Sequence, residues 1–224
     1  TFAEAARRAA QIAWDVRFKG VPGFFSWPSR GTMLSYLADG DKTISTIPFF
    51  EEFIEKLIFK TNVEKIHFIA HSMGNTLLTT TLNNLSDKPT LTGKLDIIRQ
   101  IVLGAPDVAQ NIFENTILPK LKSVGKSRTL YSSDKDLAIK ISEFVHSNDP
   151  RLGDAGDSLF VKEGLDTIDA SNVDSSGYFE HGYIFNSKEL LTDLHYLLNE
   201  ETPVEKRDLR EREKDNLKYW LFAE

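Results

Sequence analysis

The stretch Ile66-His67-Phe68-Ile69-Ala70-His71-Ser72-Met73-Gly74-Asn75 decides the fold. Lys65–Ala70 is a short apolar run that reads as a buried strand. From about Gly74 to Leu85 the apolar positions recur at helical spacing, with Leu77, Leu78, Thr81, Leu82 and Leu85 on the inner side. Ser72 stands at the junction, with small residues two positions away on either side. The pattern is G-x-S-x-G with Ala70 in place of the first glycine. A chain turning sharply from strand to helix strains the backbone at the serine, and a bulky neighbour at either flanking position would strike that backbone. A serine so held projects from the sheet edge, and the helix N-terminus beneath it favours developing negative charge. Small residues alone specify only a tight turn. The strand before and the helix after turn the motif into a candidate nucleophile.

Outward from this junction the chain alternates. Val21–Pro28 is a short apolar run bounded by turn residues and reads as a strand. A turn is expected at Asp39-Gly40-Asp41, then a helix from about Ile47 to Phe59. Ile97–Leu103 reads as a strand ending in Gly104-Ala105-Pro106-Asp107, followed by a helix over roughly 108–122. Ser127–Ser132 is another strand, leading into a helix near 137–146. Residues 148–182 are rich in Gly, Asp and Ser, with one short apolar piece at Thr167–Ala170. A last regular helix begins after Asn186 or Ser187, with Leu190, Leu191, Leu194, Leu197 and Leu198 inward. Strands alternating with helices define an α/β fold with a mostly parallel sheet flanked by helices on both faces. Residues 1–200 form the expected domain. Residues 201–224 read as a charged C-terminal helix or tail, with Tyr219–Phe222 docking it back.

The bulk composition narrows the chemistry. With 224 residues, 41% of them hydrophobic, the chain can bury a full core without staples. It has no cysteine, which excludes disulfides, thiolate metal sites and a cysteine nucleophile. A net charge of −6 argues against a nucleic-acid partner, which needs a basic face. No apolar run is long enough to span a membrane. The first residues, Thr1 to about Val16, carry no signal-peptide pattern and read as an amphipathic helix already under way, with Phe2, Ala5, Ala6, Ala9, Ile12, Ala13 and Val16 on one face. Compartment and oligomeric state are not readable.

A nucleophilic serine needs a base, and the base needs an orienting acid. His181 lies in the glycine-flanked segment Gly177-Tyr178-Phe179-Glu180-His181-Gly182-Tyr183, just before the last helix, and is the candidate base. His146 ends a helix, where a histidine also favours the helix C-terminus, and His195 lies on the polar border of the last helix. Three aspartates compete for the role of acid. Asp136 follows the strand 127–132 and opens a helix. Asp107 follows the strand 97–103, and Asp134 precedes Asp136 by two residues. Each also suits a helix N-cap. Met73 offers its N–H to an oxyanion. Trp27, Arg30 and His71 are candidate pocket residues, although Trp27 also suits the core and Arg30 a solvated surface.

Four segments together resemble a bacterial α/β-hydrolase family of uncharacterised function, serine esterase- or lipase-like: Phe25–Gly31, Ile69–Asn75, Gly104–Val108, and Leu130-Tyr131 with Asp136. Gly153–Gly156, Asp166–Ser171 and His181 add to the likeness, which extends over roughly residues 1–200. It implies the α/β-hydrolase fold and the roles of Ser72, Asp136 and His181. It implies no particular substrate. Members carry a His-Gly-Tyr-Asn-like turn after an early strand, which gives a second oxyanion donor. That turn is not among these residues, so the expectation is a chain that begins inside a larger fold. The expected activity is cleavage of a carboxylic ester or related acyl bond in a small-molecule or lipid-like substrate, through an acyl-enzyme, with no metal or organic cofactor. The other reading is a binding or scaffold protein on the same fold.

Overall fold

The structure, a computed structural model, describes residues 2–27, 36–145, 149–173 and 182–223. In chain order the elements are α1 (Phe2–Asp15), α2 (Tyr36–Lys60), β1 (Ile66–His71), α3 (Gly74–Ser86) and β2 (Ile98–Gly104). They continue with α4 (Gln110–Ile112), α5 (Leu118–Leu121), β3 (Ser127–Ser132), α6 (Leu137–Val145) and β4 (Asp166–Asp169). The last are α7 (Tyr183–Asn186), α8 (Lys188–Asn199), β5 (Leu209–Lys214) and β6 (Leu217–Phe222). A π-helical turn, Phe113–Ile117, joins α4 to α5. Among the described residues the six strands form one sheet in the order β1-β2-β3-β4-β6-β5. Every neighbouring pair is parallel except β5 with β6.

The strands of such a sheet are buried on both faces, which is why they read as near-continuous apolar runs. Along β2, Ile101 and Leu103 join a cluster with Ile54 and Phe50 of α2, Leu78 and Leu82 of α3, and Leu121 of α5. Val102, between them, joins the opposite cluster with Leu190, Leu194 and Leu197 of α8. One residue of offset along a strand reverses the face, so a single apolar run supplies both layers.

Three local expectations change. Residues 21–27 form no strand; Val21 is 94% exposed. Pro22 offers no ladder donor, and none of the described strands pairs with the segment. Phe25 and Trp27 nonetheless pack on the core, Phe25 with its ring 4.6 Å from that of Phe50. Residues 39–41 are not a turn but part of α2, which starts at Tyr36 and runs through Pro48. Proline's φ suits a helix, and the burial of Ile47, Phe50 and Ile54 outweighs the lost hydrogen bond. The apolar face read in α1 does turn inward: Ala5, Ala6, Ala9, Ile12 and Ala13 are half-buried, and Val16, just past the helix end, is fully buried. The C-terminal stretch is neither helix nor loose tail but the β5–β6 hairpin, whose β6 pairs with β4. Asp215 and Asn216 between its strands both take positive φ, 52° and 61°, the geometry that matches strand twist in a two-residue hairpin. Trp220 and Phe222 point into the core, while charges cover β5, as suits an exposed edge strand.

Candidate active site

β1 ends at His71, and the next residue, Ser72, has φ 53°. That left-handed conformation costs a side-chain-bearing residue roughly 1–2 kcal/mol. Hydrogen bonds hold it in place. The Ser72 N–H donates to the Gly104 carbonyl (3.0 Å), and the Asn75 N–H donates to the Ser72 carbonyl (3.0 Å). The buried Asn75 side-chain amide donates to both carbonyls, of Ser72 (2.9 Å) and of Gly104 (3.0 Å). Asn75 therefore ties the start of α3 to the end of β2 across the serine. Its position as the second residue of α3 is the available sequence signal, yet the residue type alone suggests no such bridge. Ser72, His71 and Met73 are half-buried, so the turn is open on one side. The ring of Trp27 stands over it, 3.4 Å from where a side-chain carbon on Gly74 would begin. Its indole nitrogen is buried without a hydrogen-bond partner among the described residues.

The three aspartates separate. Asp136 is fully buried, and its Oδ1 accepts from the N–H groups of Ala138 (3.1 Å) and Ile139 (3.2 Å), capping α6. Two backbone donors on one oxygen fix the plane of the carboxylate. Asp107 is held differently. The Ser142 hydroxyl donates to its Oδ1 (2.6 Å), and the buried Arg151 pairs with the same oxygen at 3.4 Å. The segment carrying Arg151 can lie this close because of Gly153: a side-chain carbon there would come within 2.7–3.0 Å of the Ala105–Pro106 backbone. Asp134 is exposed, and its backbone N–H bonds to the Ser171 hydroxyl (2.9 Å).

His181, Arg30 and His146 lie outside the described residues. The segment directly after His181 is described, and it bridges the two halves of the site. The Tyr183 hydroxyl donates to the Tyr131 carbonyl at the end of β3 (3.2 Å). Burial, and then the neighbouring Asp136 and Asp169 carboxylates, push that hydroxyl well above its ordinary pKa. Ile184 packs on Gly104, the partner of the elbow. The Phe185 ring stands 5.1 Å from that of His71. These three residues escaped the sequence reading because an apolar triplet before a helix looks like ordinary core. His195 serves structure: its Nδ1 is 2.7 Å from the Val16 carbonyl, fastening the end of α1 to α8. No cluster of metal-ligating side chains occurs among the described residues, and none of their helices is long and apolar enough to cross a membrane.

A mostly parallel sheet with helices on both faces, and a serine in left-handed conformation between a strand and the helix after it, together define an α/β-hydrolase fold. The chain belongs to the family described as alpha/beta hydrolase of unknown function (DUF900), whose model matches residues 1–199. Searches of curated proteins and of solved structures give no match.

Proposed function

We propose that the chain is a serine hydrolase that cleaves a carboxylic ester or related acyl bond, with Ser72 as nucleophile, His181 as base and Asp136 as the orienting acid. The observation that carries this reading is the seat of Tyr183–Phe185. The residues immediately after His181 touch Asp136's surroundings at one end and the Ser72 elbow at the other. Asp136 is favoured over Asp107 because Asp107 is already committed to Arg151 and Ser142. In this reading His181 takes the Ser72 hydroxyl proton as the oxygen attacks the acyl carbon. The Met73 N–H, at the N-cap of α3 where backbone donors have no intrahelical acceptor, faces the oxyanion. His181 returns the proton to the leaving alcohol, and water then releases the acid by the same steps in reverse. Trp27 over the elbow, with His71, walls the acyl pocket, and Arg30 meets an anionic group of the substrate.

Fluorophosphonate labelling with peptide mapping tests the assignment. Label is expected at Ser72 alone, absent in Ser72→Ala and His181→Ala. Asp136→Asn should slow labelling by a thousandfold or so, whereas Asp107→Asn chiefly lowers stability. A chain that takes no label is the non-catalytic binding protein. Asp107→Asn slowing labelling more than Asp136→Asn would reassign the acid.

A further inference from the structure

Helix α6 is turned inside out. Its inward positions are anchored by polar bonds as much as by apolar packing: Ser142 holds Asp107, and Glu143 accepts the Arg151 N–H (2.9 Å), with Ile139 as the buried apolar residue. Leu137, Ile141, Phe144 and Val145 are all exposed, Phe144 at 79%. At the helical advance per residue these four fall within an arc of about 100°, so they form one face rather than a scatter of single residues. Lys140 lies at the border of that arc, and Lys135 precedes the helix; both are exposed, together with Asp134. The helix follows Asp136 directly, so the face adjoins the candidate active-site edge.

A nine-residue helix is only about 13 Å long, and its outward half offers a few hundred Å² at most. A stable dimer buries about 800 Å² from each partner. The face also lacks the Trp, Tyr and Arg anchors that concentrate energy in protein interfaces. Aliphatic side chains and one phenylalanine, bordered by lysine, match shallow insertion among lipid headgroups, where no shape-complementary partner is required.

We propose that α6 is a lipid-surface contact, through Leu137, Ile141, Phe144 and Val145 with Lys135 and Lys140 at the headgroups. Resting on the hydrolase reading above, it directs Ser72 to acyl esters held in a membrane or lipid aggregate. The test is flotation of the full chain with phosphatidylcholine vesicles, with and without about a third phosphatidylglycerol. The chain should float, and more strongly with the anionic lipid. Ile141→Glu/Phe144→Glu should weaken binding roughly tenfold or more while leaving thermal unfolding and turnover of a soluble short-chain ester unchanged. Lys135→Glu/Lys140→Glu should weaken binding roughly tenfold on the anionic vesicles alone. A wild-type chain that stays unbound, or an Ile141→Glu/Phe144→Glu variant that floats like wild type, overturns the proposal. So does wild-type self-association without flotation, abolished by that double variant; the face would then join copies of the chain. Flotation that responds to the variants, in a chain that turns over no ester and takes no label at Ser72, supports the lipid contact and removes the hydrolase reading.

Discussion

The δ-methyl of Ile184 fills the position that a side-chain carbon at residue 104 would need. Gly104 accepts the bonds that hold Ser72 and Asn75, and Ile184 lies three residues after His181. One van der Waals contact thus couples the nucleophile turn to the segment carrying the candidate base. Gly104→Ala should cost about 1–3 kcal/mol and slow labelling of Ser72. Ile184→Val removes the offending methyl, so Gly104→Ala/Ile184→Val should recover part of both losses. Strictly additive effects in the double-mutant cycle would show that the contact does not couple them.

The strain at Ser72 gives a second expectation. With φ at 53°, glycine fits this position without penalty and alanine does not. Ser72→Gly should therefore be more stable than Ser72→Ala by about 0.5–1 kcal/mol, after allowing for the looser unfolded chain. Both should lose all fluorophosphonate label. Thermal melts of the two variants decide it, and an alanine variant of equal or greater stability would mean that the turn relaxes.

At the opposite end of the sheet, Glu201 accepts from Arg99 (2.6 Å), Lys65 (2.8 Å) and Lys126 (3.2 Å), joining the loop after α8 to the starts of β1, β2 and β3. Its own φ is 49°. The hydrogen bond from Arg99, then those from the lysines, hold the carboxyl well below the ordinary glutamate value of 4.5, against the opposing effect of burial. A depressed folded-state pKa means that the unfolded chain binds the proton more readily. The stabilisation is therefore complete above that ordinary value and is lost as pH falls below it. Glu201→Gln should cost about 1–2 kcal/mol near neutral pH, since both lysines are largely exposed and screened. Denaturant titrations from pH 7 down to acid should show the variant's stability falling less steeply than wild type below 4.5. Parallel curves would sink the assignment.

Beyond the last residue of the family match, Arg207 reaches back into the body. Its Nη1 donates to Asp193 Oδ2 (3.0 Å), the oxygen that also accepts the Tyr131 hydroxyl, and all three residues are buried. Arg207→Met removes the cation that opposes the effect of burial on the Asp193 carboxyl, at a cost of about 3–5 kcal/mol. Arg207→Met/Asp193→Leu removes both charges and should regain most of that loss. Chemical denaturation of the two single variants and the double variant is the check; a double variant as unstable as the sum of its parts would show that the two charges do not depend on each other.

Much of this was legible along the chain. β1, β2 and β3, parallel strands buried or half-buried along their length, announce themselves as apolar runs, and α3 and α8 by helical spacing, because their residues face the core directly. Ser72 was legible for the same reason: the turn's demand for small neighbours is local. β4 shows in the sequence only as an apolar piece of four residues, and β5 and β6 carry no strand signal. A short strand, or one whose outward half is charged, carries little periodic signal, and only its neighbours decide that it pairs. The same holds for the site. The sequence favours Asp136 over Asp107 and Asp134 by its place after a strand and at a helix start, yet an aspartate there suits both cap and acid. Their differing partners, Ala138 and Ile139 for one and Arg151 and Ser142 for another, arise from segments distant in sequence. Asn75, Ile184 and the outward face of α6 belong to the same category. Local spacing determines which element a residue joins, whereas what that residue touches depends on which elements the folded sheet brings alongside.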